Sequence, residues 1–161
     1  MRTIDVALTQ LGVKEATGHN DGVPAVRYNR GDEVNWCAAF VEYCNAHSDD
    51  PKLATTDKDY YAQRRVQTME DETKRRGWWL PPETVPQPND VVFFGDRGGS
   101  DPGVGRHVGI VETVTTNPLV MPPLFTSIEG NWGNAVQRVK HDLAEAKEAA
   151  RVTGYARFPA T

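Results

Sequence analysis

Val91-Val92-Phe93-Phe94 (91–94) and His107-Val108-Gly109-Ile110-Val111-Glu112-Thr113-Val114 (107–114) decide the architecture. The first is a short apolar run between turn formers and the second is rich in β-formers, so both read as core strands. Toward the C-terminus, 124–129, 135–139 and 155–158 are further extended candidates. Pro118, Pro122 and Pro123 mark a connecting loop, and a Glu/Ala/Lys helix is expected over 142–151. Toward the N-terminus the period changes to that of a helix. Ile4, Ala7, Leu8 and Leu11 share one face of a helix over 3–12, with Thr3 placed to cap it and Gly12 to end it. Residues 18–35 read as a loop delivering the chain to Asn35, an N-cap for the helix that carries WCAAFVEYC (36–44). A charged stretch over 60–76 keeps a thin apolar line through Tyr61, Val66 and Met69 and is expected as a surface helix. Helices first and strands afterwards imply an α+β fold, N-terminal helices packed on an antiparallel sheet of about five to six strands.

At 161 residues, the chain is expected to be one domain over 1–161. Net charge is -4 and the pI is near 5.5, without the basic footprint that nucleic acid requires, so nucleic acid is not an expected partner. No apolar run approaches the roughly 18 residues of a membrane span, so no membrane partner is expected either. The start lacks the basic and apolar segments of a signal peptide, which leads us to expect synthesis in a host cytoplasm with holin-dependent or external release to the wall. A monomer is expected. Cys37 and Cys44 are seven apart on one helix, roughly 10 Å between Cα atoms, beyond the roughly 7 Å limit for a disulfide. They are expected to stay reduced.

Cys37 falls in the first turn of its helix, where the positive end of the macrodipole favours thiolate, and a neighbouring imidazolium would favour it further. Cys44, deeper in the helix, reads as a small buried hydrophobe. His107 opens a strand, and alternation puts it on the face of Gly109 and Val111. Gly109 would leave room there for the helix to come close. His19, His47 and His141 have no comparable setting: a loop, a helix end and a charged segment. Glu129, at the end of the next strand, can lie beside His107 and fix the imidazole tautomer, and Asn131 is a second candidate for the same cleft.

Together ALTQLGVKE (7–15), WCAAFV (36–41), PNDVVFF (88–94), RHVGIVE (106–112), EGN (129–131) and GYAR (154–157) resemble the successive landmarks of CHAP-domain peptidoglycan hydrolases, relatives of the NlpC/P60 cysteine peptidases. The resemblance implies a papain-like fold and hydrolysis of an amide bond in bacterial peptidoglycan. It implies Cys37 as nucleophile, His107 as base, and Glu129 with Asn131 orienting the histidine. The oxyanion is expected at the backbone N–H of Cys37 and the side chain of Asn35, with Trp36, Arg106 and Trp132 contacting substrate. Asn89 stands where the family usually has glycine and is read as neutral, because asparagine tolerates positive φ. Arg106 replaces a common glycine and brings a cation to the cleft. No metal or other cofactor is expected, although Asp21, Asp32 and Glu33 could hold a weak calcium ion. A bacteriophage lysin is the expected context.

Two other classes compete. A zinc hydrolase would need His19, Asp21 and His107 to meet, without an HExxH or HxH spacing to support it. Gly103, Gly105 and Gly109 precede a strand, where a dinucleotide fingerprint would follow one. A non-catalytic wall-binding or tail module could use Trp36, Trp78, Trp79 and Trp132 as a sugar-stacking surface.

Overall fold

The computed structural model describes residues 1–95, 106–115 and 122–160. The chain runs α1 (Thr3–Thr9), α2 (Val23–Arg27), α3 (Cys37–Ala46), α4 (Asp57–Gln63), α5 (Val66–Arg75), β1 (Trp79–Leu80), β2 (Val91–Phe94), β3 (His107–Thr115), β4 (Leu124–Trp132), β5 (Ala135–Asp142), α6 (Ala146–Arg151) and β6 (Val152–Ala156). The strands form one antiparallel sheet in the order β1-β6-β2-β3-β4-β5. This is the expected α+β fold, helices before strands, in a papain-like arrangement.

Both faces of the sheet are covered, which explains why β2 is apolar at every position instead of alternating. Val91, Phe93, Val108, Ile110, Ile128 and Val136 face α3 and α1 in the main core. Val92, Phe94, Val111, Phe125, Val152 and Tyr155 form a second core closed by Leu143. The small Ala38 and Ala39 and the flat side of Phe40 let α3 lie close on the sheet, and all three are buried. A Cβ on Gly130 would stand 2.6 Å from the Phe40 Cβ and 3.0 Å from the Trp36 ring, so this glycine is the point of closest helix approach.

Local differences from the expected elements have local causes. The first helix ends at Thr9, and the Thr3 N–H and hydroxyl both donate to Asp50 instead of capping. Residues 13–15 then pair with the start of β5. The loop expected over 18–35 contains α2, with Gly22 as N-cap and Pro24 in its first turn. Asn35 does not cap α3; Trp36 occupies that position with no side-chain cap. The helix expected over 60–76 is two helices, broken where Arg65 turns extended (φ -105, ψ 129). Tyr60, Met69, Glu70 and Thr73 are buried, so this pair is packed into the molecule instead of lying on the surface. Pro118, Gly103 and Gly105 lie outside the described residues.

Two landmarks are structural ties. Arg157 grips the buried Asp90 carboxylate with two hydrogen bonds, 2.9 and 2.8 Å, joining β6 to the entry of β2. Asn89 adopts φ +80, as its residue type allows, and its side chain reaches the Ile4 N–H and Asp50.

Candidate active site

Cys37 is the first residue of α3, where helical N–H groups lack partners within the helix. Its position is fixed by the residue before it. The Trp36 indole N–H donates to Glu15 Oε1 at 2.8 Å and the ring stacks on Tyr28 with centroids 5.6 Å apart. Glu15 also accepts the Asn20 N–H at 3.1 Å, while its own N–H donates to the Asn134 carbonyl. Trp36 is fully buried and cannot contact a substrate, which corrects its expected role: it is the anchor of the helix start. Cys37 retains 8% exposure and Cys44 none, and burial holds the Cys44 thiol well above its usual range.

His107 meets Cys37 at the beginning of β3. Its alternation partners on β3 face the second core, whereas α3 covers the other face, so the two side chains meet because each begins its element. His107 Nε2 lies 3.6 Å from Glu129 Oε2, an ion-pair separation longer than a hydrogen bond. Burial alone would lower the imidazole pKa; contact with the Cys37 thiol and then with the Glu129 carboxylate outweighs it and raises the value to about 9. Burial would raise the Glu129 carboxyl, but His107 and His141 together bring it down to about 2. At neutral pH the pair is therefore imidazolium and carboxylate.

Gly109 serves this pair and not the helix. A Cβ there would stand 2.6 Å from the Glu129 Cγ, so the space expected for α3 is filled by the carboxylate side chain crossing β3.

His141 belongs to the same network, although its charged segment is expected to give it no setting comparable to that of His107. It is 1% exposed, stacked between Phe94 and Phe125 with centroids 4.8 Å from each. Its Nε2 lies 3.2 Å from Glu129 Oε1 and 3.0 Å from the Ser127 hydroxyl. The signal was available only in the strand register, which sets His141 opposite Phe125.

Asn131 stands apart from the histidine pair. At φ +57 its Nδ2 points to the Asn35 and Asn20 side-chain oxygens, 3.5 Å each, and so bears on these two asparagines instead of the imidazole. Asn35, Cys37, Arg106, His107 and Asn131 all line one cleft of about 700 Å³. Its far wall is Tyr61, Arg64, Arg65, Val66 and Gln67 from the break between α4 and α5, with Asp32 and Val34 beside them. Trp132 is half-buried with its ring tilted against His107, centroids 5.7 Å apart.

The four tryptophans do not make a common surface. Trp36 is internal, Trp78 packs edge-on to Phe158, and Trp79 covers Gly154, where a Cβ would clash at 2.1 Å. The candidate metal ligands are also dispersed. Asp21 takes the Ala16 and Thr17 N–H groups and the Thr17 hydroxyl, Asp32 pairs with Arg64 at 2.8 Å, and His19 contacts Thr17. Among the described residues, no group of three His, Cys, Asp or Glu is gathered for a metal ion.

A cysteine at a helix start, a histidine at a strand start and a buried carboxylate behind it, on helices packed against an antiparallel sheet, define the papain-like class. The CHAP domain model matches residues 29–131, and the chain belongs to that family. CHAP domains are amidases and peptidases that act on peptidoglycan. Among solved structures the chain is similar to the crystal structure of Ly7917, at TM-score 0.54 and 16% identity, a likeness of fold. The match covers 98% of this chain and 61% of that one, so the chain spans about three fifths of Ly7917. No curated protein matches the chain.

Proposed function

We infer that this domain hydrolyses an amide bond of peptidoglycan with Cys37 as nucleophile. The observation that carries the reading is the juxtaposition of Cys37, at the start of α3, with an imidazole held by a buried carboxylate in one open cleft.

The Cys37 thiolate attacks the amide carbonyl carbon, and the carbonyl oxygen takes up the negative charge. The Cys37 N–H, free of an intrahelical partner, donates to that oxygen. Asn35 supplies the second donor: its Oδ1 is engaged by Asn131, which leaves its Nδ2 for the oxyanion. The C–N bond breaks as His107 gives its proton to the departing amine, leaving a thioester. His107 then takes a proton from water as the hydroxide oxygen attacks the thioester, and the C–S bond breaks to release the acid and the Cys37 thiolate, restoring the starting ion pair. Glu129 holds the imidazole and its charge throughout.

The cleft supports a peptide over a sugar. Arg64, Arg65 and Arg106 line it with Asp32 as the acidic counterpart, and Tyr61, Val34 and Val66 supply apolar wall. Such a lining suits a short peptide carrying carboxylates and methyl groups, the chemistry of a peptidoglycan stem. The test is mass spectrometry of muropeptides released from purified sacculi in excess EDTA. A free lactyl carboxylate with a free alanine amine shows amidase action, whereas a new amine and carboxyl within the peptide, with the lactyl amide intact, show peptide cleavage, and neither set of products forms with Cys37→Ser. Parental release by Cys37→Ser, or release that disappears in EDTA and returns with calcium or zinc, overturns the reading.

A further inference from the structure

Behind the carboxylate that faces His107 lies a second histidine for which hydrolysis as described has no use. His141 is a polar group almost without exposure, between two phenylalanine rings. A buried imidazole in such a place must find partners. Those within reach are Glu129 Oε1 and the Ser127 hydroxyl at Nε2, and on the other side Glu148 Oε1 of α6, 3.6 Å from Nδ1. An ionised carboxylate only accepts hydrogen bonds, so Nε2 must carry a proton for the 3.2 Å contact to Glu129 to be one.

We propose that His141 is a positioning residue for the catalytic pair: its Nε2–H holds one oxygen of Glu129 so that the other faces His107. The proposal rests on the hydrolytic reading above. Glu129 divides its two oxygens between the histidines, Oε1 to His141 and Oε2 to His107. The glycine at 109 admits the side chain from one side, and the stacked imidazole fixes it from the other. Without His141 the carboxylate has no fixed rotation about its last bond, and its separation from His107, already longer than a hydrogen bond, is not maintained. Two further charged groups stand near His141: Glu148 from α6, 3.6 Å from Nδ1, and its partner Arg151, which stands 5.5 Å over Phe94. Tyr155 of β6 closes the far side of Phe125.

His141→Leu keeps the apolar stack and removes the donor, whereas His141→Gln restores an N–H near the same place. On sacculi, His141→Leu should lower kcat by roughly 10- to 100-fold, the range for losing an outer-shell partner of a functional ligand, with KM little changed. Because a displaced Glu129 no longer supports the imidazolium, the alkaline limb of its pH–rate profile should move toward neutrality by about one pH unit. His141→Gln should recover most of both effects. Parental kcat and profile in folded His141→Leu overturn the proposal, as does a loss of activity with an unmoved profile and no recovery by glutamine, which marks a packing role alone. If His141→Leu does not fold, nitrogen NMR of the parent decides: a proton on His141 Nε2 whose shift changes in Glu129→Gln supports the assignment, and a bare Nε2 overturns it. Cys37→Ser separates the two levels, since its parental activity would sink hydrolysis itself, whereas an inactive Cys37→Ser beside an unaffected His141→Leu sinks only the role of His141.

Discussion

Adding one methyl group at Gly109 tests the site geometry without touching any group that reacts. In Gly109→Ala the new Cβ would stand 2.6 Å from the Glu129 Cγ and 3.3 Å from Glu129 Oε1 and the Ile128 carbonyl, where ordinary contact begins at 3.4 Å. The Ile128 carbonyl is backbone in the sheet and cannot move, so the Glu129 side chain gives way, by about 0.8 Å if the Cγ retreats to ordinary contact. It has little space to do so, being fully buried against His141. The His107–Glu129 separation, now 3.6 Å, would then exceed ion-pair range. A misplacement near 1 Å can lower a rate by about 100-fold, so a kcat loss of 10- to 100-fold is expected, or roughly 1.4–2.7 kcal/mol in the barrier. Overpacking should also destabilise the fold by about 1–3 kcal/mol, so initial rates on sacculi belong well below the variant's Tm. Gly154→Ala is the control: its Cβ clashes with Trp79 at 2.1 Å, and it should lower Tm while leaving kcat and the pH profile of the folded protein unchanged. A Gly109→Ala protein within twofold of the parental kcat, with its alkaline limb in place, would refute the argument that Gly109 exists to admit Glu129.

Three more outcomes are expected. Iodoacetamide should modify Cys37 before Cys44, because Cys44 is fully buried and its thiol is held neutral by that burial; peptide mapping during partial inactivation checks it, and early labelling of Cys44 refutes it. Activity should fall as pH rises through about 9, where His107 loses its proton. The same site stabilises the fold with the opposite signs for its two members: the His107 share is full below 6.5 and lost as pH rises through about 9, and the Glu129 share is full above 4.5 and lost as pH falls through about 2. Finally, Glu42 on α3 is fully buried, and burial raises its carboxyl from 4.5 to about 8. Its protonated form is the one favoured by folding, so stability declines as pH rises from 4.5 toward 8. At pH 7 the carboxyl costs on the order of 3 kcal/mol, and Glu42→Gln should raise Tm there by roughly 6–12 °C, an effect that shrinks at pH 5. Equal Tm gains at pH 5 and pH 7 would show that the carboxyl's charge is not the cause.

Elements whose identity is local were legible in the sequence, and relations set by neighbouring strands were not. The run at 91–94 declares a strand by composition, and 36–44 declares a helix by period, so the sheet and its central helix follow from residues near one another. The break at 64–65 has no such mark, because two arginines are good helix formers. It is imposed from outside, where the Arg64 guanidinium reaches the Asn29 carbonyl and Asp32. In the same way α2 hides behind Gly22 and Pro24, which read as a turn until the N-cap and first-turn positions they occupy are known. Cys37, His107 and Glu129 could be proposed one by one from helix start, strand start and strand end. What Gly109 admits, and what stands behind Glu129, depend on β3, β4 and β5 being adjacent and in one register. His141 sits between Lys140 and Asp142, a charged surface pattern by composition, yet a strand sends alternate side chains to opposite faces. With β5 at the sheet edge, that alternation puts the two charged neighbours on one face and the imidazole on the other, among Phe94, Phe125 and Glu129. A histidine flanked by charges at the end of an edge strand is therefore to be judged by the face it shares with the next strand, and here that face is the back of the His107–Glu129 pair.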